Sequence, residues 1–224
     1  MSETLTLLSL PLFPLGTVLY PGGLLPLQIF EVRYLDMIGK CHKVGAPFGV
    51  VSLTEGSEVR KPVDATTKNA APSGDGFAHE AFNAVGTLAT IIEFSVQQPG
   101  LMVIQCSGAH RFTITRREKL KHGLWIADVT RMADDLPVKI PHDLQNAADT
   151  LGKLIKRVQH DDASAEKITL LAPYKLDDCG WVANRWCELL PMPLALKQRL
   201  MEMDNPLLRL ELVCDILESQ GISR

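Results

Sequence analysis

The sequence predicts an α+β protein, in which an N-terminal β-barrel with one inserted helix is followed by a C-terminal α-helical bundle. Up to about residue 131, short apolar or β-branched runs alternate with proline and glycine, which is typical of strands and turns. From about residue 133 the apolar residues recur instead at helical spacing. We therefore expect a β-barrel subdomain over residues 1–132 and a helical subdomain over residues 133–224.

Length and composition are those of an ordinary globular chain. Its 224 residues are enough for one large or two small domains, and 46% of them are hydrophobic. The formal net charge is −3, which argues against a protein whose main partner is the phosphate backbone of a nucleic acid.

The five cysteines are far apart in the sequence and none has CxxC spacing. We expect reduced, buried thiols, and neither a metal site nor a cofactor. The N-terminus lacks the basic start of a signal peptide, and no apolar run approaches the roughly 20 residues of a membrane span. These features predict a cytoplasmic protein that does not associate with a membrane.

The opening segment, residues 10–38, contains four prolines that exclude a long helix. Short apolar runs between the prolines, including residues 18–20, predict strands. From residue 30 the apolar residues instead follow helical spacing and predict one amphipathic helix. Its apolar face should carry Phe30, Tyr34, Met37, Ile38 and Cys41.

The next segments predict a strand, a loop and a β-meander. Residues 48–53 predict a strand, and the polar, aperiodic residues 59–82 predict a long exposed loop. Residues 83–131 predict a meander in which Gly108 marks a bulge or sharp bend. Several short, bent strands favour a closed barrel, because closure removes exposed strand edges.

The remainder predicts helices at about residues 141–158, 177–190, 194–203 and 207–221. The last of these should begin at Asp204-Asn205-Pro206, which supplies an N-cap residue followed by proline.

Three patterns in this chain resemble the N-terminal substrate-binding domain of Lon proteases, which cereblon also carries. The family's LPLFPL, VLFPG and PL-x-IFE-x-RY-x-x-M appear at residues 10–15, 18–22 and 26–37, with Tyr20 where Phe is usual. A second signature, VGT-x-A-x-I then G-x-x-RF-x-I, lies within residues 85–114, and a third, approximate one begins at Pro193. The resemblance covers residues 9–218 and implies a pseudo-PUA-like β-barrel.

Most signature residues are apolar, proline or glycine, and we interpret them as structural. They are Pro11, Phe13, Pro14, Pro21, Gly22, Pro26, Phe30, Tyr34, Gly86, Gly108, Arg111 and Phe112.

The resemblance implies a stand-alone, non-catalytic module that binds unfolded or degron-bearing polypeptides, or a protease or other partner subunit. The sequence contains neither a G-x-x-x-x-G-K-[ST] phosphate loop nor a G-x-S-x-G nucleophile elbow, so we expect no ATPase or Ser-Lys peptidase activity. Candidate partner-binding residues are Glu31, Arg33, Trp181 and Trp186. The alternative for Glu31 and Arg33 is an ion pair that fixes the helix to the sheet, and for the tryptophans it is helix packing.

Two other functions stay open at this point. PUA-type barrels can bind RNA, and residues 110–122 are locally basic, although a solvated strand-turn face explains that run as well. A small-molecule pocket in the cleft between the two subdomains is the other, which no motif supports. The sequence does not indicate an oligomeric state.

Overall fold

A computed structural model describes residues 5–59, 79–160 and 170–222. The chain divides into two compact units. The first contains Met1–Pro21 and Leu25–Ala133, and the second contains Gly22–Leu24 and Asp134–Arg224. Within the described ranges, no helix is both long enough and apolar enough to span a membrane.

The described residues before position 132 form seven strands and one helix. They are β1 (Thr6–Leu15), β2 (Leu24–Ile29), α1 (Val32–Val44), β3 (Phe48–Glu55), β4 (Ala81–Phe82), β5 (Val85–Gln98), β6 (Leu101–Lys119) and β7 (Trp125–Arg131). The strands belong to one sheet with the order β1-β7-β6-β5-β3-β4, and β2 pairs with β6.

The first strand of the sheet, β1, pairs with two other strands. Strand β1 is antiparallel to β7 on one side and parallel to β3 on the other. The pairs β7–β6, β6–β5 and β5–β3 are antiparallel. The large, mostly antiparallel sheet with helices confirms the mixed α/β class, while the closed barrel stays a prediction.

The predicted irregularity at Gly108 is confirmed. Thr87 is opposite Arg111 and Ala89 is opposite Gly108, so β6 has one more residue than β5 between these pairs. At this bulge a Cβ on Gly108 would lie 2.1 Å from the carbonyl oxygen of Tyr20. Only glycine fits this approach of one backbone to another.

Residues 18–20 were predicted to form a strand, and this is wrong. They are buried outside regular structure, and the carbonyl of Leu19 accepts a 2.6 Å hydrogen bond from the hydroxyl of Thr87. A side chain therefore satisfies a carbonyl that a strand would have paired with a neighbouring backbone.

The predicted position of Phe30 on the buried face of the first helix is also wrong. Helix α1 begins at Val32, and Glu31 before it has an extended conformation. Phe30 therefore precedes the helix and is 54% exposed, whereas Tyr34, Met37, Ile38 and Cys41 are buried as predicted.

Only the ends of the predicted loop over residues 59–82 can be compared with the structure, because residues 60–78 lie outside the described ranges. At its C-terminal end the prediction is wrong. Ala81–Phe82 forms β4, which pairs with β3 through Leu53 and Glu55.

The second unit contains four α-helices within its described residues. A 3-10 turn over His142–Leu144 leads into α2 (Gln145–His160), followed by α3 (Cys179–Leu189), α4 (Leu194–Glu202) and α5 (Pro206–Ser219). As predicted, Asn205 caps α5, and its side-chain oxygen accepts hydrogen bonds from the amides of Leu207 and Leu208. The arrangement of these helices as a bundle stays a prediction.

Candidate functional site

The first unit has an open groove of about 270 Å³ bordered by β1, β2, the start of α1 and the residues after β3. We call it the β2–α1 groove. Its lining is apolar or aromatic apart from Gln28, Glu31 and Glu58. A concave surface with an apolar lining and a few polar groups is typical of a binding site.

Two stacked aromatic rings form the base of the groove. The rings of Phe13 in β1 and Tyr34 in α1 are 3.9 Å apart between centroids and inclined by 24°. Both residues are buried, and Phe13 also packs at 6.3 Å from the ring of Phe48. Because these rings belong to the hydrophobic core, the base of the groove is fixed by the fold.

The rim of the groove presents apolar side chains to solvent. Phe30 lies on one side of the groove and Val59, 44% exposed, is also part of the lining. Large exposed apolar side chains beside an apolar concavity indicate a binding surface, because covering them with a ligand lowers the free energy.

Arg33 connects the start of α1 to the sheet. Its Nε donates to Glu31 Oε2 at 3.1 Å, Nη2 donates to Glu80 Oε1 at 3.1 Å, and Nη1 donates to the carbonyl of Gly123 at 2.9 Å. Glu80 also accepts a 3.0 Å hydrogen bond from the indole of Trp125. The guanidinium therefore links the start of α1 to a residue 90 positions later in the sequence, Gly123.

This network settles how the charge of Arg33 is held. Burial alone would lower the pKa of Arg33, but Tyr34, Glu80 and Glu31 act in the opposite direction, and the net effect raises the pKa. The side chain is 4% exposed, whereas that of Glu31 is 19% exposed. Arg33 therefore positions the N-terminus of α1, and Glu31 is the member of this pair that reaches the groove.

Glu58 fixes the other wall. Its Oε1 accepts a 2.6 Å hydrogen bond from the backbone amide of Gly16, which follows β1. This bond holds the residues after β3 against the end of β1, so that Glu58 and Val59 line the groove.

The two candidate tryptophans belong to the second unit and do not line the groove. Trp186 is 3% exposed, and its indole donates a 3.0 Å hydrogen bond to the carbonyl of Ala147, so it packs in the core of that unit. Trp181 is half-buried, and its ring contacts Tyr174 at 6.2 Å in an edge-to-face arrangement.

Four residues interpreted as structural from the sequence, Phe13, Pro26, Phe30 and Tyr34, line the groove. Phe13 and Tyr34 are both structural and part of the lining, because core packing orients the rings that form the base of the groove. No sequence pattern indicated that Gln28, Glu58 or Val59 join them, since residues 58 and 59 come more than 20 positions after Tyr34 and belong to no predicted strand or helix.

The other signature residues are in strands or turns, and most of them are buried. Arg111 is buried and its Nη2 donates to the carbonyl of Ala133 at 3.1 Å. Gly22 has a positive φ of 73°, which favours glycine. Away from the groove lie Pro11, Pro14, Pro21, Gly22, Gly86, Gly108, Arg111 and Phe112.

The locally basic run of β6 has partners within the first unit. The guanidinium of Arg117 lies 4.9 Å from the ring centroid of Phe82, Arg116 pairs with Glu118 at 3.6 Å, and Lys119 pairs with Glu80 at 3.6 Å. These contacts give the cations structural partners and provide no observation that favours a nucleic-acid site.

The described residues offer little other reactive chemistry. Within the described ranges, no cluster of three or more His, Cys, Asp or Glu side chains is arranged to hold a metal ion. The five cysteines are free thiols, and four are buried. Burial raises the pKa of Cys106 to about 12, which opposes formation of the nucleophilic thiolate.

Comparisons with known proteins bear on the family and the fold of the chain. The sequence profile of the ATP-dependent protease La (LON) substrate-binding domain matches residues 9–219. No curated protein matches the chain in sequence.

Two solved structures are similar over nearly the whole chain. A Lon N-terminal domain protein from Xanthomonas campestris has 27% sequence identity and a TM-score of 0.67, covering 93% of this chain and 98% of its own. The N-terminal domain of Mycobacterium avium complex Lon protease has 14% identity and a TM-score of 0.54, covering 92% and 96%, and shows the fold alone.

Proposed function

Because the chain belongs to the family of ATP-dependent protease La (LON) substrate-binding domains, we propose that it is a non-catalytic module that binds polypeptides through the β2–α1 groove. One observation carries the choice of surface. The groove combines a base of stacked core aromatics with exposed apolar side chains on its rim. Its occupants are unfolded or degron-bearing polypeptides, or a segment of a protease or other partner subunit.

The physical basis is the burial of apolar surface on a preorganised base. An apolar side chain of a bound segment would pack on Phe13 and Tyr34 and cover part of Phe30. Because the base is already ordered, binding would cost little additional side-chain entropy on the side of the protein.

The strand pairings support a further part of this proposal, the pseudo-PUA-like barrel. The sequence of pairs from β1 through β7, β6, β5 and β3 back to β1 is the connectivity that a closed barrel needs. Such a closed framework would keep β1, which contributes Phe13, in a fixed position beneath the groove.

The test is the binding of fluorescently labelled, extended peptides of about 12 residues that contain Leu or Phe, measured by anisotropy. We expect Phe30→Ser to weaken binding at least about tenfold, since the loss of one aromatic side chain that a ligand covers costs about 2 kcal/mol. Val44→Ser is the matched control, because Val44 is 73% exposed, ends α1 and does not line the groove.

The two variants together decide the result. Phe30 is exposed, so its replacement should leave the circular dichroism spectrum and thermal unfolding unchanged. If Phe30→Ser binds the peptides as tightly as the unaltered protein, or if Val44→Ser weakens binding equally, the groove is not the binding surface.

A further inference from the structure

We infer that Glu80 is a positioning residue of the β2–α1 groove, whose carboxylate fixes the aromatic base on which a ligand packs. This inference rests on the proposed function and adds a residue on which the affinity of the groove depends. Glu80 belongs to the segment predicted as an exposed loop, yet it is 7% exposed, and it does not line the groove itself.

The carboxylate of Glu80 is the point at which side chains from three elements meet. Its Oε1 accepts a hydrogen bond from Nη2 of Arg33 in α1 at 3.1 Å, and its Oε2 accepts one from the indole of Trp125 in β7 at 3.0 Å. The ammonium of Lys119 in β6 lies 3.6 Å from Oε2. Because each oxygen has its own donor in a buried site, these contacts fix the orientation of the carboxylate.

The guanidinium that Glu80 holds is in direct contact with the base of the groove. The Cζ atom of Arg33 lies 4.4 Å from the ring centroid of Tyr34, and that ring stacks at 3.9 Å on the ring of Phe13. A long arginine side chain has many conformations unless its planar guanidinium is hydrogen-bonded. The bonds to Glu80 and to the carbonyl of Gly123 therefore keep the guanidinium on the ring of Tyr34.

Glu31 also accepts a hydrogen bond from Arg33, but it is less suited to this role. It lies two positions before Arg33 at the same end of α1, so their pairing does not connect the helix to the sheet. The side chain of Glu31 is 19% exposed, whereas that of Glu80 is 5% exposed. Because water screens an exposed pair more than a buried one, Glu80 holds the guanidinium more strongly.

The backbone at Glu80 packs against the chain that leads to the opposite wall of the groove. A Cβ on Gly56 would lie 2.8 Å from the carbonyl oxygen of His79 and 3.3 Å from Cα of Glu80. Gly56 is followed by Glu58 and Val59, which line the groove. The same residue is therefore connected to both walls, through its side chain to the start of α1 and through its backbone to the residues after β3.

Glu80→Gln tests this inference, because it preserves the size of the side chain and removes its charge. A carboxamide has one acceptor oxygen, so either Arg33 or Trp125 would face its NH2 group instead of an acceptor. We expect the variant to weaken binding of the labelled peptides about fivefold, since the base of the groove loses its preorganisation. Glu80→Asp, which retains the charge and both acceptor oxygens, should weaken binding less than Glu80→Gln does.

Val129→Ala is the matched control for a loss of stability. Val129 is buried in β7, in a core cluster whose residues do not line the groove. Its truncation lowers the stability of the same unit, but we expect it to leave the peptide affinity within about twofold of the unaltered protein, because distant sites act independently. If Val129→Ala weakens binding as much as Glu80→Gln, the effect is one of stability, and the inference is wrong.

The unaltered protein supplies a second measurement, which does not depend on the folding of any variant. The indole of Trp125 donates to Glu80 and does not line the groove. A ligand that packs on Tyr34 changes the contact of this ring with the guanidinium, so titration with peptide should shift the indole N–H resonance of Trp125 in a heteronuclear NMR spectrum. The resonance of Trp186, in the core of the second unit, should not move. A Trp125 resonance that stays fixed while the peptide binds would contradict the coupling.

The design separates this inference from the proposed function. If the peptides bind and Phe30→Ser weakens them but Glu80→Gln does not, the groove binds polypeptides without help from Glu80, and only the inference fails. If no peptide binds, or if binding is insensitive to Phe30→Ser, the proposed function fails and the inference fails with it.

Discussion

At single positions of this fold, the space that neighbouring atoms leave determines which side chain fits, and Gly108 is the clearest example. A Cβ at this position would lie 2.1 Å from the carbonyl oxygen of Tyr20 and 3.1 Å from a side-chain atom of Leu19. The first contact is with backbone, which cannot move away as a flexible side chain can. The bulge of β6 and the buried residues 18–20 therefore depend on each other.

We predict that Gly108→Ala lowers the free energy of unfolding by about 3 kcal/mol, because the backbone at residues 19–20 must shift. Gly39→Ala is the matched control. Gly39 lies in α1, and a Cβ there would meet nothing within 4 Å, so alanine should raise the free energy of unfolding by about 0.5–1 kcal/mol. Denaturant unfolding followed by circular dichroism measures both. Equal stability of the two variants would contradict the close approach.

A sequence pattern revealed one half of this contact only. A glycine within a β-branched run predicts a bulge, and β6 has it. The partner, the carbonyl of Tyr20, is 88 positions earlier in a segment predicted as a strand. Local sequence preferences indicate where a strand is irregular, but they contain no information on which distant atom packs against the irregular position.

At the scale of elements, the position of α1 depends on Arg33 more than on the exposed pairs of the helix. Arg33 is the buried cation between Glu31 and Glu80, whereas Lys40 and Asp36 form a 2.6 Å pair whose side chains are 75% and 62% exposed. Removal of one partner of a buried pair leaves a charge with poor solvation, and removal of a surface pair does not.

We predict that Arg33→Gln costs about 3 kcal/mol of stability, because Glu80 would keep a buried charge without this cation. Lys40→Gln, on the same helix, should cost less than about 1 kcal/mol. Denaturant unfolding of the two variants tests the comparison. A cost for Lys40→Gln as large as that for Arg33→Gln would show that α1 is not held by the buried network.

The second unit contains a carboxylate that should respond to pH near neutrality. Desolvation raises the pKa of Glu188 to about 7, against the opposing effects of Arg185 and Lys197. The folded pKa lies above the value of 4.5 for an unperturbed glutamate, so between pH 4.5 and 7 the folded chain binds more protons than the unfolded chain. The contribution of Glu188 to stability must therefore decrease as the pH rises through this window.

We predict that the free energy of unfolding of the unaltered protein falls more steeply from pH 5 to pH 7 than that of Glu188→Gln, by up to about 1.4 kcal/mol per pH unit. Denaturant unfolding at pH 5, 6, 7 and 8 gives the difference between the two proteins, which isolates this carboxylate from the others. Parallel curves for the two proteins would contradict a raised pKa.

Elements whose ends are determined locally were predictable, and those determined by tertiary contacts were not. Asn205 followed by Pro206 predicted the start of α5, because the capping hydrogen bonds span only two or three residues. The same type of reasoning placed Phe30 inside α1. It failed because the helix begins two residues later, and periodicity alone cannot show where a helix starts.

At the scale of the whole molecule, the groove exists only because the folded chain brings separate elements together. Its lining comes from β1, β2, α1 and the residues after β3, which span positions 13 to 59 of the sequence. The sequence resemblance identified the family and included several residues that line the groove. From the sequence alone, we interpreted those residues as structural. The predicted helices drew attention to Trp186, which is in the core of the second unit, because an aromatic residue on a helix has the same sequence pattern whether it packs inside or binds a partner.

If the groove is the binding surface, ligand binding must stabilise the folded first unit by linkage. At 100 times its dissociation constant, a peptide that binds only the folded state should add about 2.7 kcal/mol to the free energy of unfolding. Hydrogen exchange measures this locally. Amides of β2 and the first turn of α1 should exchange more slowly with the peptide present, and those of α5 in the second unit should not change.

Phe30→Ser provides the comparison for this last experiment. With less apolar surface on the rim, the same peptide concentration should occupy fewer molecules, and the protection of β2 and α1 should decrease accordingly. Protection that persists in Phe30→Ser, or that appears first in α5, would place the ligand on another surface. Because exchange reports on each element separately, it shows where the ligand acts as well as whether it binds.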